Sequence, residues 1–190
     1  MSIRILALVG SLRAASYNHQ LAEAAVKHAP DGTDVQIYEG LAEVPFYNED
    51  LDRPGDVPGP AQALRDAVAR ADALLLVTPE YNGTIPAALK NAIDWISRPF
   101  RSGAIVDKPV AVVGTSGGQY GGAWAHDDTR KTARIAGAHV LGNVALSVPL
   151  AAERFGATHP ADDDEVAAAL SEALATLAAA ARAEAPQQPA

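Results

Sequence analysis

Three short segments of this chain carry more hydrogen-bond donors and glycines than ordinary turns require. The first, Gly10-Ser11-Leu12-Arg13-Ala14-Ala15-Ser16-Tyr17-Asn18, offers hydroxyls at Ser11 and Ser16, a carboxamide at Asn18, a guanidinium at Arg13 and a run of backbone N–H groups. At a helix N-terminus such donors suit a phosphate dianion, because unpaired N–H groups and the helix dipole both favour negative charge. Plain helix capping by Ser16 or Asn18 is the simpler account, and it leaves the remaining donors unused. The segment has neither the three glycines of a dinucleotide fingerprint nor the Gly-Lys-Ser/Thr of a P-loop. Those absences favour a terminal monophosphate over a pyrophosphate or triphosphate.

The second segment, Thr78-Pro79-Glu80-Tyr81-Asn82-Gly83-Thr84-Ile85-Pro86, sets an aromatic between polar side chains in a turn stiffened by prolines. It suits stacking on or beside a flat ring, and Asn82-Gly83 can adopt positive φ and bring backbone close to a ligand. A simple Asn-Gly turn with an exposed tyrosine is the alternative. The third, Thr115-Ser116-Gly117-Gly118-Gln119-Tyr120-Gly121-Gly122, removes side chains where something planar could meet the backbone. A flexible surface loop has the same composition. A ligand with a terminal phosphate and a planar ring, such as FMN, would satisfy all three segments at once.

Something must hold these segments side by side. The apolar run Ile3–Val9 stops at a glycine and reads as a strand buried on both faces. A helix is expected from Asn18 to Ala29, then a short strand at Val35–Tyr38 and a long proline-rich loop over 40–60. A helix at Ala61–Ala71 precedes the strongest strand, Ala73–Thr78; a second follows Pro86 to about Ser97, with Lys90 and Asp94 able to pair and Trp95 assigned to core or subunit interface. A strand at Val110–Gly114, a helix over Ala123–Gly137 and a strand over Val140–Val148 come next. The last helix is expected over Asp162–Ala183, with three aspartates at its positive end. Strand and helix thus alternate, which argues for an α/β doubly wound parallel sheet with helices on both faces. Ligands in such sheets bind beyond the carboxyl ends of the strands, where the three segments fall.

Bulk properties limit the partners. With 23 acidic against 15 basic residues the net charge is -8, so neither nucleic-acid phosphates nor anionic lipid is a natural partner. The absence of cysteine excludes disulfides, thiol nucleophiles and thiolate metal sites. No stretch reads as the roughly 20 apolar residues that span a bilayer, so a cytoplasmic protein without membrane insertion is expected. His19, His28, His126, His139 and His159 show no metal-ligand spacing and read as structural or surface residues. The organisation expected is one domain over 1–185 and a flexible tail at 186–190.

The motifs Gly10-Ser11-Leu12-Arg13…Ser16…Asn18, Pro79-Glu80-Tyr81-Asn82-Gly83…Pro86…Leu89-Lys90-Asn91-Ala92-Ile93-Asp94-Trp95 and Ser116-Gly117-Gly118 resemble the NAD(P)H-dependent FMN reductase family, which includes bacterial quinone and chromate reductases. The resemblance runs from about residue 3 to 150 and is most specific in the middle motif. It implies a flavodoxin-like fold, a five-stranded parallel sheet of order 2-1-3-4-5, and FMN held non-covalently. Ser11, Arg13, Ser16, Tyr17 and Asn18 would hold its phosphate; Pro79, Glu80, Tyr81, Asn82 and Gly83 would line its ring; Ser116, Gly117 and Gly118 would flank it. Also implied are NADPH or NADH as co-substrate, a small acceptor such as a quinone, flavin, azo compound or chromate, and a homodimer or homotetramer. The flavin N5 would carry the hydride, so no protein residue is assigned a catalytic role. The resemblance gives no fixed role to Gln119–Trp124 or to the 40–60 loop. A rival within the same fold is an FMN-binding electron carrier that docks on protein partners and ignores nicotinamide; a flavin-free phosphate-binding protein is a third reading.

Overall fold

The computed structural model describes residues 2–184; the expected tail at 186–190 lies outside the described residues. Five parallel strands, β1 (Ile3–Val9), β2 (Thr33–Ile37), β3 (Ala73–Val77), β4 (Pro109–Thr115) and β5 (His139–Val148), form one sheet in the order 2-1-3-4-5. This is the doubly wound arrangement the alternation and the resemblance predict. The helices α1 (Tyr17–Lys27), α2 (Gly59–Arg70), α3 (Ala87–Ile96), α4 (Ala123–Ile135), α5 (Ala151–Phe155) and α6 (Asp164–Glu184) cover it.

Because side chains alternate along a strand, each inner strand feeds two cores. Ile5, Ala7 and Val9 of β1, with Leu75, Val77 and Val113, pack beneath Leu21, Ala22 and Ala25 of α1 and Leu170, Leu174 and Leu177 of α6. Leu6, Leu8, Leu74, Leu76 and Val112 face the other way, beneath Leu64 and Val68 of α2 and Leu89, Ile93 and Ile96 of α3. Each such leucine or isoleucine contributes about 1.5–3 kcal/mol by leaving water, so both faces resist slippage of the register. That register sets Val9 opposite Val77 and Val77 opposite Val113. The three candidate segments therefore leave the sheet level with one another.

Several boundaries differ from expectation. The 40–60 region contains 3-10 turns at Glu39–Glu43 and Glu49–Leu51 and is pinned down along its length. The Asn91 carboxamide accepts from Tyr47 N–H (2.8 Å) and donates to Pro45 O (3.0 Å), and the buried Trp95 donates through Nε1 to the same carbonyl (2.7 Å). Arg65 grips Asp52 with two hydrogen bonds of 2.8 and 2.7 Å, which lowers the Asp52 carboxyl pKa. Trp95 is thus core, and Lys90 and Asp94 pair as expected at 2.7 Å. Helix α5 went unpredicted because five residues are too few to show a period. Of the three aspartates, Asp163 accepts from Val166 N–H at the start of α6 (3.1 Å), whereas Asp162 turns away to pair with Lys27 (2.7 Å).

Alanine richness makes α6 long and apolar enough, by length and composition alone, to cross a membrane, which the sequence reading did not anticipate. In the fold its Val166, Leu170, Leu174, Leu177 and Ala181 stripe is buried on the sheet. It serves as a core layer.

Candidate functional site

Segment one leaves β1 through Gly10, whose N–H donates to Val77 O at 2.8 Å, so loop 1 begins against β3. A Cβ on Gly10 would lie 2.7 Å from Pro86 Cγ and 3.3 Å from Pro79 Cδ. Only glycine lets loop 1 pass this close to loop 2. Ser16 is the N-cap of α1, its hydroxyl accepting from Asn18 N–H (3.2 Å) and His19 N–H (3.4 Å). None of the backbone N–H groups from Ser11 to Tyr17 donates to another described residue. Arg13 is exposed, with its guanidinium 6.0 Å from the Tyr17 ring, and makes no ion pair among the described residues. Tyr17 packs against Phe155 of α5 at a centroid distance of 6.1 Å.

Asn18 does something the sequence reading did not foresee. Its side chain is buried and spans to the end of β4, donating to Thr115 O (2.8 Å) and accepting from Thr115 N–H (3.0 Å). One N–H and the oxygen of its carboxamide are therefore engaged in tying loop 1 to the start of loop 3.

Loop 2 closes as a two-residue hairpin: Tyr81 and Thr84 exchange backbone hydrogen bonds of 3.3 and 3.2 Å around Asn82 (φ 53) and Gly83 (φ 74). Positive φ at both central residues is why Asn-Gly stands there. The Tyr81 hydroxyl lies 3.5 Å from Ser11 Oγ, joining loops 1 and 2. Glu80 accepts from Ala125 N–H in the first turn of α4 (3.2 Å), and Thr84 donates to Asp128 at 2.6 Å. Loop 2 is thereby fastened to α4, while Pro79 is buried beneath it.

Loop 3 is braced from β5 and α5, with Ser116 N–H donating to Val148 O (3.2 Å) and Ala151 N–H to Ser116 O (3.0 Å). Gly118 N–H donates to Ser116 Oγ at 3.3 Å. A Cβ at Gly117 would meet nothing within 4 Å, so that wall faces open space. Beneath it lies His126, wholly buried, with Nδ1 2.6 Å from Ser147 Oγ and no hydrogen-bond partner for Nε2 among the described residues. Burial, reinforced by the nearby Arg130 charge, lowers its pKa from 6.5 to about 4, so the ring is neutral near pH 7.

The structure thus brings Ser11, Arg13, Tyr81, Asn82, Gly83, Ser116, Gly117 and Gly118 to one edge of the sheet. Ser16, Tyr17, Asn18, Pro79 and Glu80 lie there too, but their side chains are engaged with protein. Thr115 stands in the third segment and His126 among the structural histidines, but their partners Asn18 and Ser147 could not be read from the sequence, because no local pattern shows which strand end or which part of β5 lies beside them. Among the described residues no cluster of three potential metal ligands exists.

Loops 1 to 3 therefore offer unpaired N–H groups at a helix start, a tyrosine-bearing hairpin and a bare glycine wall, all level at the strand ends. The family model for NADPH-dependent FMN reductases matches residues 3–153. The chain belongs to the NADPH-dependent FMN reductase family. It is 42% identical over 130 residues to a 2-hydroxy-1,4-benzoquinone reductase of a Burkholderia species, covering 68% of this chain and 69% of that one. An NAD(P)H-dependent FMN reductase of Pseudomonas aeruginosa is 34% identical over 175 residues, covering 92% and 93%. Among solved structures, FerB, a flavoenzyme NAD(P)H:acceptor oxidoreductase from Paracoccus denitrificans, superposes with a TM-score of 0.84 at 30% identity, covering 95% of this chain and 98% of that one. As a member of the FMN reductase family the chain is an NAD(P)H-dependent, FMN-containing oxidoreductase. Its loops fit that cofactor: the unpaired N–H run from Ser11 to Tyr17 suits a phosphate, and the space above Gly117 admits a ring.

Proposed function

We propose that this chain reduces quinones, or chemically similar small acceptors such as azo compounds, at the expense of NAD(P)H. The observation that carries the reading is the run of backbone N–H groups from Ser11 to Tyr17 that donate to no other residue among those described, level with the Tyr81 hairpin and the open Gly117 wall. Ser11, Arg13, and the backbone of Ser16 and Tyr17 hold the FMN phosphate, with Asn18 fixing the loop that carries them. Pro79, Glu80, Tyr81, Asn82 and Gly83 form one side of the ring site, and Ser116, Gly117 and Gly118 the other. FMN, when bound, supplies hydride acceptance and donation, so the protein needs no acid, base or nucleophile of its own. The residues contribute position: they hold the ring where a nicotinamide, and then an acceptor, can lie against it. The working form is a homodimer or homotetramer in the cytoplasm. Support for assembly comes from Phe100 and Ile135, both strongly exposed at a groove of about 670 Å³ between α3 and α4.

The test is a visible spectrum of purified protein, followed by anaerobic NADPH and then 1,4-benzoquinone. Flavin bands that bleach with NADPH and return with one equivalent of quinone support the proposal. Bands that NADPH leaves untouched support the electron-carrier reading instead. A protein that takes up no FMN overturns both.

A further inference from the structure

The stretch Gln119–Trp124 has no role so far, yet it carries two of the chain's largest exposed apolar side chains. Trp124 is 60% and Tyr120 63% exposed, and their rings lie 6.0 Å apart. Tyr81, across the hairpin, is 50% exposed. Trp124 leans on loop 2: a Cβ at Gly83 would lie 3.4 Å from its Cε3. It does not swing freely with its helix, because Glu80 holds Ala125 N–H and Thr84 holds Asp128 on either side of it. The mouth of the ring site is therefore bordered by two aromatics, an anchored Trp124 and Tyr120 beside it. Exposed aromatics gathered at a ligand mouth mark a binding surface, since solvent alone gives no reason for them.

The charges around this pair are as telling. Glu80, Asp127 and Asp128 flank it, and the cation closest in sequence, Arg130, is paired with Asp127 at 3.2 Å. The guanidinium of Arg13, without an ion pair among the described residues, belongs to loop 1, at the phosphate end. A hydrated anion approaching Trp124 meets carboxylates and apolar rings, whereas a neutral planar ring meets faces it can stack on.

We propose that Tyr120 and Trp124 form the acceptor wall of the site and select neutral planar quinones over anionic acceptors. The proposal rests on the quinone-reductase reading above. In the overall reaction the quinone gains a hydride equivalent, two electrons and one proton, from NAD(P)H and a second proton from solvent; both C=O bonds become C–OH, and NAD(P)+ leaves. Tyr120 and Trp124 exchange no proton in it. They hold the ring.

The test compares Trp124→Ala, Tyr120→Ala and the conservative Trp124→Phe with the native FMN-loaded protein. Calorimetric titration with benzene-1,4-diol, the product of benzoquinone reduction, reads binding without turnover. Steady-state rates with 1,4-benzoquinone and with ferricyanide, an anionic one-electron acceptor, read selectivity. Expected are a Kd for the diol about tenfold weaker in each alanine variant, a fall of similar size in the quinone-to-ferricyanide ratio of kcat/KM, and recovery of both in Trp124→Phe. An unchanged diol Kd, or quinone and ferricyanide efficiencies that fall by one common factor, overturns the wall. So does a changed sedimentation coefficient in the alanine variants, which would make this surface a contact between copies. Failure of the native protein itself to bleach with NADPH or reoxidise with quinone overturns the functional reading instead.

Discussion

Replacing Asn18 with alanine removes both hydrogen bonds that tie loop 1 to the end of β4. Asn18 and Thr115 are both buried, and their two bonds measure 2.8 and 3.0 Å. A buried hydrogen bond contributes about 1 kcal/mol net, but an orphaned buried N–H or C=O costs about 1–3 kcal/mol. Alanine leaves both Thr115 groups without this partner, so the loss is about 2–6 kcal/mol. Urea unfolding followed by circular dichroism should show that loss as a lower midpoint with an unchanged slope. Fluorescence titration should show FMN binding about tenfold weaker, since loop 1 then has to be ordered by the ligand. Asn18→Asp keeps an acceptor for Thr115 N–H, loses the donor to Thr115 O, and adds a negative charge beside the proposed phosphate site. It should bind FMN more weakly than the alanine variant. A stability for Asn18→Ala within about 0.5 kcal/mol of native, the range of ordinary surface changes, with FMN affinity intact, would refute this account of the clamp.

Two glycines near the site should respond in opposite ways. Gly114→Ala places a Cβ 2.1 Å from Thr78 O and 2.6 Å from His126 Nε2; overpacking against backbone should cost about 3 kcal/mol or more, seen as a fall in Tm of the apoprotein. Gly117→Ala meets no protein atom, so the apoprotein Tm should hold while FMN binding weakens about tenfold, and unaltered FMN affinity would contradict the ring-site assignment. His126 makes stability pH-dependent. Its folded pKa, about 4, lies below the unfolded 6.5, so the unfolded chain binds the extra proton between those values and stability falls as pH drops through that window. The span corresponds to about 3 kcal/mol. Urea midpoints measured from pH 7 to 4 should lose most of this component in His126→Gln, and an identical pH slope in the two proteins would show that His126 is not its source.

The alternation of apolar runs with helical periods determined the doubly wound sheet, because a strand that must be buried on both faces can be so only between two helical layers. Ile3–Val9, Ala73–Val77 and Pro109–Thr115 could be located from their apolar runs, as could the polar and glycine-rich segments that follow each of them. Local chemistry was equally legible at Asn82-Gly83, where both φ angles are positive, and at Ser16, which caps α1. What no local pattern contains is the use of a side chain by a distant backbone. Asn18 reads as a phosphate donor until β4 folds alongside and occupies its carboxamide 97 residues away. Glu80 reads as a ring contact until α4 arrives with an unpaired N–H. The 40–60 stretch reads as a long loop, and only the fold shows Asn91, Trp95 and Arg65 taking hold of it; α6 reads as the last helix, and only the fold shows its apolar stripe completing one core. Periodicity reports which face of an element avoids water, and that much is a property of the chain. Which buried polar group meets which partner depends on strand register and helix placement, and those are decided only when the whole sheet closes.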